Sequence, residues 1–259
     1  MSKPNIHRSA IVDPGAKLDD GVIIGPYCIV GKNVRIGKNT KLTSHIVIEE
    51  TEMGNDNVVY PFASIGLPPQ DIGYKGEETR VIIGDRNVIR EYITIHRASV
   101  RGDRVTHIGS DNFMMAYVHI AHDCKIGNSV TMANIATLAG HVTVEDFVVI
   151  GGIVAVHQFT RIGAYSMVGG FSAVVQDIPP YTTASGNRAK LYGLNTIGIK
   201  RQGFEESVIN DLKRAYKILF RSKLTLKEAI EKVKSDVKHS KEIDHLVHFL
   251  AQNKRGICR

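Results

Sequence analysis

The sequence predicts a mainly β protein, a parallel β-helix followed by a small C-terminal α-helical domain. Three observations carry that reading: an aliphatic ladder of period six, two mid-chain interruptions of it, and a change to helical periodicity near residue 196. From Ile108 to Val174 an aliphatic or Met side chain falls on every sixth residue, twelve times in succession, through Met114, Ile120, Ile126, Met132, Leu138, Val144, Ile150, Val156, Ile162 and Val168. A helix repeats every ~3.6 residues and a strand every two over a typical ~5–6 residues, so neither holds such a register. A six-residue repeat is the signature of a coil with short flat sides.

The same ladder opens the chain at Ile6, Val12, Leu18, Ile24, Val30, Ile36, Leu42 and Ile48. Two places back from a ladder position the residue is often small or β-branched, as at Ala10, Val22, Cys28, Cys124, Ala136 and Val148. Both positions therefore point inward and fill a prism. Three such sides close one triangular coil, so residues eighteen apart stack, about 4.8 Å from coil to coil. Residues 66–80 (GLPPQDIGYKGEETR) and 97–107 (RASVRGDRVTH) do not fit the repeat. They read as loops thrown out from the prism, where insertions in solenoids often build a binding face.

After Gln176 the ladder stops, Pro179 and Pro180 break the last coil, and a loop runs through Gly186, Asn187 and Arg188. Val208, Leu212, Ala215, Ile218 and Leu219 then make one amphipathic helical face. Thr225-x-x-Glu228 is a capping box opening a second helix, and a third is expected over roughly Lys241 to Gln252. The expected division is a β-helix over 1–190 and a helical domain over 191–259, capping the C-terminal end of the prism.

At 259 residues the chain accommodates one long solenoid and a small second unit. Lys3 and Arg8 are followed by no apolar core, so no signal peptide is expected. The longest apolar stretch, Phe147 to Val156, falls far short of the ~20 residues of a membrane span, and no span is expected. The three cysteines show no metal-ligand spacing, and Cys28 and Cys124 occupy inward positions as small apolar fillers. A cytoplasmic location is the simplest reading. Residues 191–259 hold 15 basic and 8 acidic residues, and so the whole net charge of +7. A basic domain attracts an acidic partner. The absence of any nucleic-acid module or aromatic–basic alternation turns the reading away from nucleic acid, toward an acidic protein or a phosphorylated small molecule.

The chemistry emerges when the stacking rule is applied to the histidines. His122 stacks on Gly140 and then Gln158; Asp123 stacks on His141 and then Phe159; Ala121 stacks on Ala139 and then His157. With His119 nearby, four of the eleven histidines gather in one patch spanning three coils. An imidazole with an ordinary pKa near ~6.5 suits a general base, and an adjacent carboxylate such as Asp123 could hold its tautomer. Gly140 permits close approach and could offer its N–H to an oxyanion. Base, orienting acid and oxyanion donor are the parts of acyl transfer to a hydroxyl. No covalent nucleophile is evident in the patch, which favours direct attack by the acceptor.

At these residues the sequence resembles a known enzyme family. IGPYCIVG (24–31), HIAHDCKIGN (119–128), LAGHV (138–142), IGGIVAVHQF (150–159), MVGG (167–170) and GIKRQGF (198–204) are similar to the UDP-N-acetylglucosamine O-acyltransferases that begin lipid A biosynthesis. The resemblance covers essentially the whole chain. It implies a left-handed parallel β-helix, against the usual right-handed crossover preference, and a homotrimer with active sites between subunits. It implies that His122 deprotonates the glucosamine 3-hydroxyl, that Asp123 supports it, and that the Gly140 N–H stabilises the oxyanion. The donor would be a 3-hydroxyacyl group on the phosphopantetheine of acyl carrier protein, an acidic partner suited to the basic tail, with no further cofactor and no metal. His119, His141, His157 and Gln158 would line the pocket for UDP-N-acetylglucosamine and the acyl chain. Asn195 and Arg201 would contact the nucleotide, Gln70 and Asp71 would reach the sugar nucleotide across the subunit boundary, and Gly170 would leave room for a long acyl chain. Gly73 and Ile197 depart from a lysine and a glutamate that some members carry.

Three alternatives stand beside this reading. A 3-amino sugar nucleotide would make the product an amide. A metal-dependent hexapeptide enzyme of the γ-carbonic-anhydrase type would need three suitably spaced histidine ligands. A non-catalytic scaffold would bind partners through the basic tail alone.

Overall fold

The computed structural model describes residues 3–259. Residues 5–174 form a left-handed parallel β-helix of two- to four-residue strands stacked on three sides; with the hairpin that follows them the three sheets have 11, 9 and 8 strands. The pairing register is the one the ladder requires: Ile120 lies on Leu138 and Leu138 on Val156, each eighteen residues on. Ladder residues and those two places before them fill one continuous core, from Val22 and Ile24 through Cys124 and Ile126 to Val174. Cys28 and Cys124 are both fully buried, and burial pushes the Cys124 thiol up to about 12, consistent with a filler role.

The eighteen-residue register departs in three places. Leu42 pairs with Val59, one residue short of a full coil. Val59 pairs with Ile89, thirty residues on, and Ile89 with Met114, twenty-five on. The surplus is the two loops, which leave the prism between the strands Ser64–Leu67 and Arg80–Ile83 and between Thr94–His96 and Val105–Ile108. Both emerge at the corner joining the 9-stranded and 8-stranded sheets.

Corners are made by residues in the left-handed region. Among the described residues twenty-one non-glycine residues have positive φ, including β-branched Ile135 and Ile153, a conformation such side chains rarely adopt. The stacked coils hold them there. The N–H of Tyr117 donates to Glu91 O at 3.0 Å and that of Ile135 to Ala116 O at 3.1 Å. Along the corner between the 11- and 9-stranded sheets, Tyr27, His45, Phe62, Tyr92 and Tyr117 stack ring over ring at 4.8–5.0 Å. Ile135, Ile153 and Phe171 continue the same column, and Phe171 is 75% exposed.

The C-terminal unit contains four helices rather than three: α1 (Thr196–Arg201), α2 (Glu206–Arg221), α3 (Leu226–Asp236) and α4 (Lys241–Ala251). Gly203, with φ +78°, separates α1 from α2, a break that a single amphipathic reading of the segment does not contain. The Thr225–Glu228 capping box forms in both directions. The face of α2 is shifted slightly from expectation, with Ile209 and Tyr216 buried and Val208 and Ile218 only partly so. An antiparallel hairpin, Thr182–Ser185 with Lys190–Leu194, supplies the last two strands of the 11-stranded sheet, and its second strand crosses the 190/191 division. Tyr216 and Cys258 pack on the prism core. At the same junction Arg161 pairs with the buried Asp177 at 2.7 Å, donates to Phe249 O at 2.9 Å and covers the Phe249 ring.

Candidate active site

The corner that throws out both loops also carries the histidine cluster. Asp123, His141 and Phe159 all take left-handed φ between 61° and 63° and project from successive coils. His141 stacks on Phe159 with ring centroids 4.5 Å apart. The His141 N–H donates to His122 O at 3.0 Å and the Phe159 N–H to Gly140 O at 3.1 Å, which locks the three coils in step. A side chain at position 140 would collide with the imidazole, since a Cβ there would lie 2.5 Å from His122 Cε1. Gly140 is therefore required for the ring to lie against the backbone. The Gly140 N–H itself donates to no acceptor among the described residues.

His122 Nδ1 lies 2.8 Å from Asp123 Oδ2. A carboxylate only accepts, so Nδ1 carries the proton and Nε2 is left as the basic lone pair. The same Oδ2 accepts from the Ser99 N–H at 3.0 Å and the Ser99 hydroxyl at 2.7 Å. Burial pushes the Asp123 carboxyl up, but the bonds from His122 and Ser99 outweigh it and hold it below the usual carboxylate value. His141 Nε2 stands 3.6 Å from that oxygen. Desolvation holds His141 and His119 below the ordinary histidine value, and for His119 the neighbouring His96 and His122 act in the same direction.

Donor atoms of His122, Asp123 and His141 all lie within 4.8 Å of one another, close enough to hold a cation. The hydrogen bonds speak for a proton-transfer role: three donors already converge on Asp123 Oδ2, and one of them is the Nδ1–H of the other would-be ligand.

The remaining expected residues divide into two groups. His119 sits half-buried beside the cluster, its Nδ1 2.7 Å from Thr94 Oγ1. His157 and Gln158 are exposed one coil further, and His157 Nδ1 accepts from Arg255 at 2.9 Å. Asp71 is close enough in its own chain to act electrostatically on His141, where the resemblance implied a reach across a subunit boundary; Gln70 is exposed on the same loop. Gly170, Asn195 and Arg201 are not brought to this corner in one chain. Gly170 precedes Phe171 at the aromatic corner. Asn195 caps α1, its Oδ1 accepting from the Gly198 N–H at 3.1 Å while its amide donates to Tyr165 O at 2.9 Å, so both ends are committed. Arg201 is exposed at the end of α1. Sequence reasoning missed Ser99, Thr106 and Arg255. The first two lie in or beside a loop outside the register, and the third approaches from the far end of the chain.

Comparison with known proteins places the chain in a family. Residues 177–258 match the family described as Udp N-acetylglucosamine O-acyltransferase, Domain 2, and residues 3–38 match the bacterial transferase hexapeptide family. The chain is 66% identical to the acyl-[acyl-carrier-protein]–UDP-N-acetylglucosamine O-acyltransferase of Thermodesulfovibrio yellowstonii, over 98% of this chain and 99% of the relative. It is 50% identical to the protein of the same name from Syntrophobacter fumaroxidans, with the same coverage. Its structure is similar to the crystal structure of UDP-N-acetylglucosamine O-acyltransferase from Moraxella catarrhalis, with TM-score 0.95 and 47% identity over 98% of this chain and 99% of the other.

Proposed function

Because the chain belongs to the acyl-[acyl-carrier-protein]–UDP-N-acetylglucosamine O-acyltransferase family, we propose that it moves an acyl group from acyl carrier protein to the 3-hydroxyl of UDP-N-acetylglucosamine with His122 as general base. It is an acyltransferase, and the reaction is the first step of lipid A biosynthesis. The observation that carries the mechanism is the His122–Asp123 pair lying directly against Gly140.

His122 Nε2 takes the proton from the glucosamine 3-hydroxyl as its oxygen attacks the thioester carbonyl. Asp123 stabilises the resulting imidazolium through Nδ1–H. The carbonyl oxygen becomes an oxyanion and accepts from the Gly140 N–H, a donor worth several kcal/mol when positioned for the transition state, ~2.7–4 by analogy with measured oxyanion holes. Collapse breaks the C–S bond, and the pantetheine thiolate leaves with the proton returned by His122. The sequence of steps needs no cofactor beyond the pantetheine arm of the donor. The acyl group is a 3-hydroxyacyl chain, and the basic helical tail receives the acidic carrier.

A homotrimer completes the site. The exposed aromatic and aliphatic column from Tyr27 to Phe171 is a contiguous apolar edge of the kind that marks self-association. Packing of copies around the prism brings the Gly170 corner and the helical tail of one subunit toward the His122 corner of the next. Purified protein assayed with UDP-N-acetylglucosamine and acyl carrier proteins charged with different 3-hydroxy chains tests the reading, with mass spectrometry of the product. The expected product is an alkali-labile ester, and His122→Ala should lower kcat by at least about a hundredfold, as removal of a general base does. An alkali-stable amide would move the acceptor to a 3-amino sugar, and a fully active His122→Ala would overturn the mechanism.

A further inference from the structure

The second loop contributes more than a surface. Ser99 is 2% exposed, and both its backbone N–H and its hydroxyl donate to the one Asp123 oxygen that receives the His122 Nδ1–H. The loop closes around that carboxylate from other sides. The Asp123 N–H donates to Thr106 Oγ1 at 2.9 Å, and the Arg101 N–H donates back to Ser99 Oγ at 3.2 Å. Gly102 lies so near that a Cβ on it would sit 2.5 Å from Asp123 Oδ1. That second oxygen is buried without a hydrogen-bond partner among the described residues. All hydrogen bonding to the carboxylate is thus concentrated on Oδ2, on the side of His122.

We propose that Ser99 is a positioning residue of the acyl transfer: its paired donors fix the Asp123 carboxylate in the rotamer and charge state that orient His122. The inference rests on the general-base reading of His122. A buried carboxylate that lost one of three donors would keep its charge less well and hold its plane less firmly, because hydrogen bonds to ionised groups are the strong ones. The remaining acceptor strength would shift onto the His122 Nδ1–H, favouring the protonated imidazole. Two effects follow. The base is less well aimed, and a larger share of it is protonated at a given pH.

Three variants read this out: Ser99→Ala, Ser99→Thr and Ser99→Cys, with His122→Ala as reference. Ser99→Ala should lower kcat about tenfold with KM for UDP-N-acetylglucosamine unchanged within about twofold, the size of one charge-assisted hydrogen bond. The acidic limb of its kcat/KM profile should move to higher pH, by about half a unit to one unit. Ser99→Thr keeps the hydroxyl and should recover kcat within about threefold of the parent. Ser99→Cys, whose thiol donates weakly, should shift the limb in the same direction as alanine and serves in its place if Ser99→Ala does not fold. A parental kcat and an unmoved acidic limb in the folded alanine or cysteine variant would overturn the assignment. Equal losses in Ser99→Ala and Ser99→Thr would do so too, since they would reduce Ser99 to packing. If His122→Ala is itself active, the general-base reading fails first, which separates the two outcomes.

Discussion

At the scale of single residues, the site depends on one missing side chain as much as on those present. Gly140 leaves the space that the His122 ring occupies, and a methyl there would meet ring atoms at 2.5 and 2.8 Å. Gly140→Ala should therefore displace the imidazole, with kcat falling by about a hundredfold while the melting temperature changes little, because the backbone there needs no unusual φ. Kinetics and thermal unfolding of the same preparation check it, and an alanine variant with parental kcat would contradict it. A second residue-scale expectation concerns protons. Burial holds His119 and His141 below the ordinary histidine value. Their protonated forms are disfavoured in the folded state, so the stability tied to them is complete above about pH 6.5 and is lost as pH falls through the lowered folded values. Melting temperatures should fall between about pH 7 and pH 5, and His119→Gln should flatten that slope. The stacking of His122 on Gly140, and of Asp123 beside His141, was legible in the sequence because the coil period alone places them. Ser99 was not, since no period reaches into a loop, and neither was the capping role of Asn195, which only the start of α1 explains.

At the scale of elements, the prism and the helical unit are joined by specific polar clamps. Arg161 satisfies Asp177, which is 1% exposed, and reaches across to the last turn of α4 through Phe249 O. Removing the guanidinium strands a buried carboxylate, so Arg161→Met should cost about 3 kcal/mol in denaturant unfolding. Asp177→Asn paired with it should recover part of the loss; a double variant no better than the single would show that the clamp acts through packing instead. A second clamp runs from Tyr181, whose hydroxyl lies 3.0 Å from His245 Nδ1, through His245 Nε2 to Glu145 at 2.9 Å. The strands were readable from the ladder because most of them are only the two residues at a ladder position. The helices were readable from their caps and apolar faces, except that the helical period read from near residue 196 did not reveal the break at Gly203. The hairpin that carries the chain from prism to helices gave no signal of period two, since its strands finish a sheet already set by the coils beneath.

The whole molecule presents one edge that the single chain leaves uncovered. Phe62, Tyr92 and Tyr117 stack on one another and yet are 45–56% exposed. If the proposed trimer forms through this edge, the parent should sediment as trimers and a Tyr92→Glu, Tyr117→Glu double variant as monomers with activity lost in parallel, because charge facing charge across a symmetric contact is repelled. A double variant that remains trimeric would move the interface to another edge. Legibility at this scale was uneven for a clear reason. Periodicity reports what a chain does with itself, whereas the assembly depends on outward-facing residues that the core does not constrain.

The two loops have a consequence for how such a molecule can change. Both depart from and return to the same corner, and the strands that follow them, Arg80–Ile83 and Val105–Ile108, resume stacking on the coils below as though nothing had been inserted. Extra length spliced in at that corner adds only slowly to closure entropy, about 0.6 kcal/mol for each doubling of the loop. It displaces no residue downstream. The reactive group is therefore addressed by coil number and not by chain length, much as a landing can be added to a spiral stair without moving the door above it. Loop length outside the Ser99–Gly102 segment that grips Asp123 can therefore change as a separable part, while the histidine and the glycine beside it stay in register.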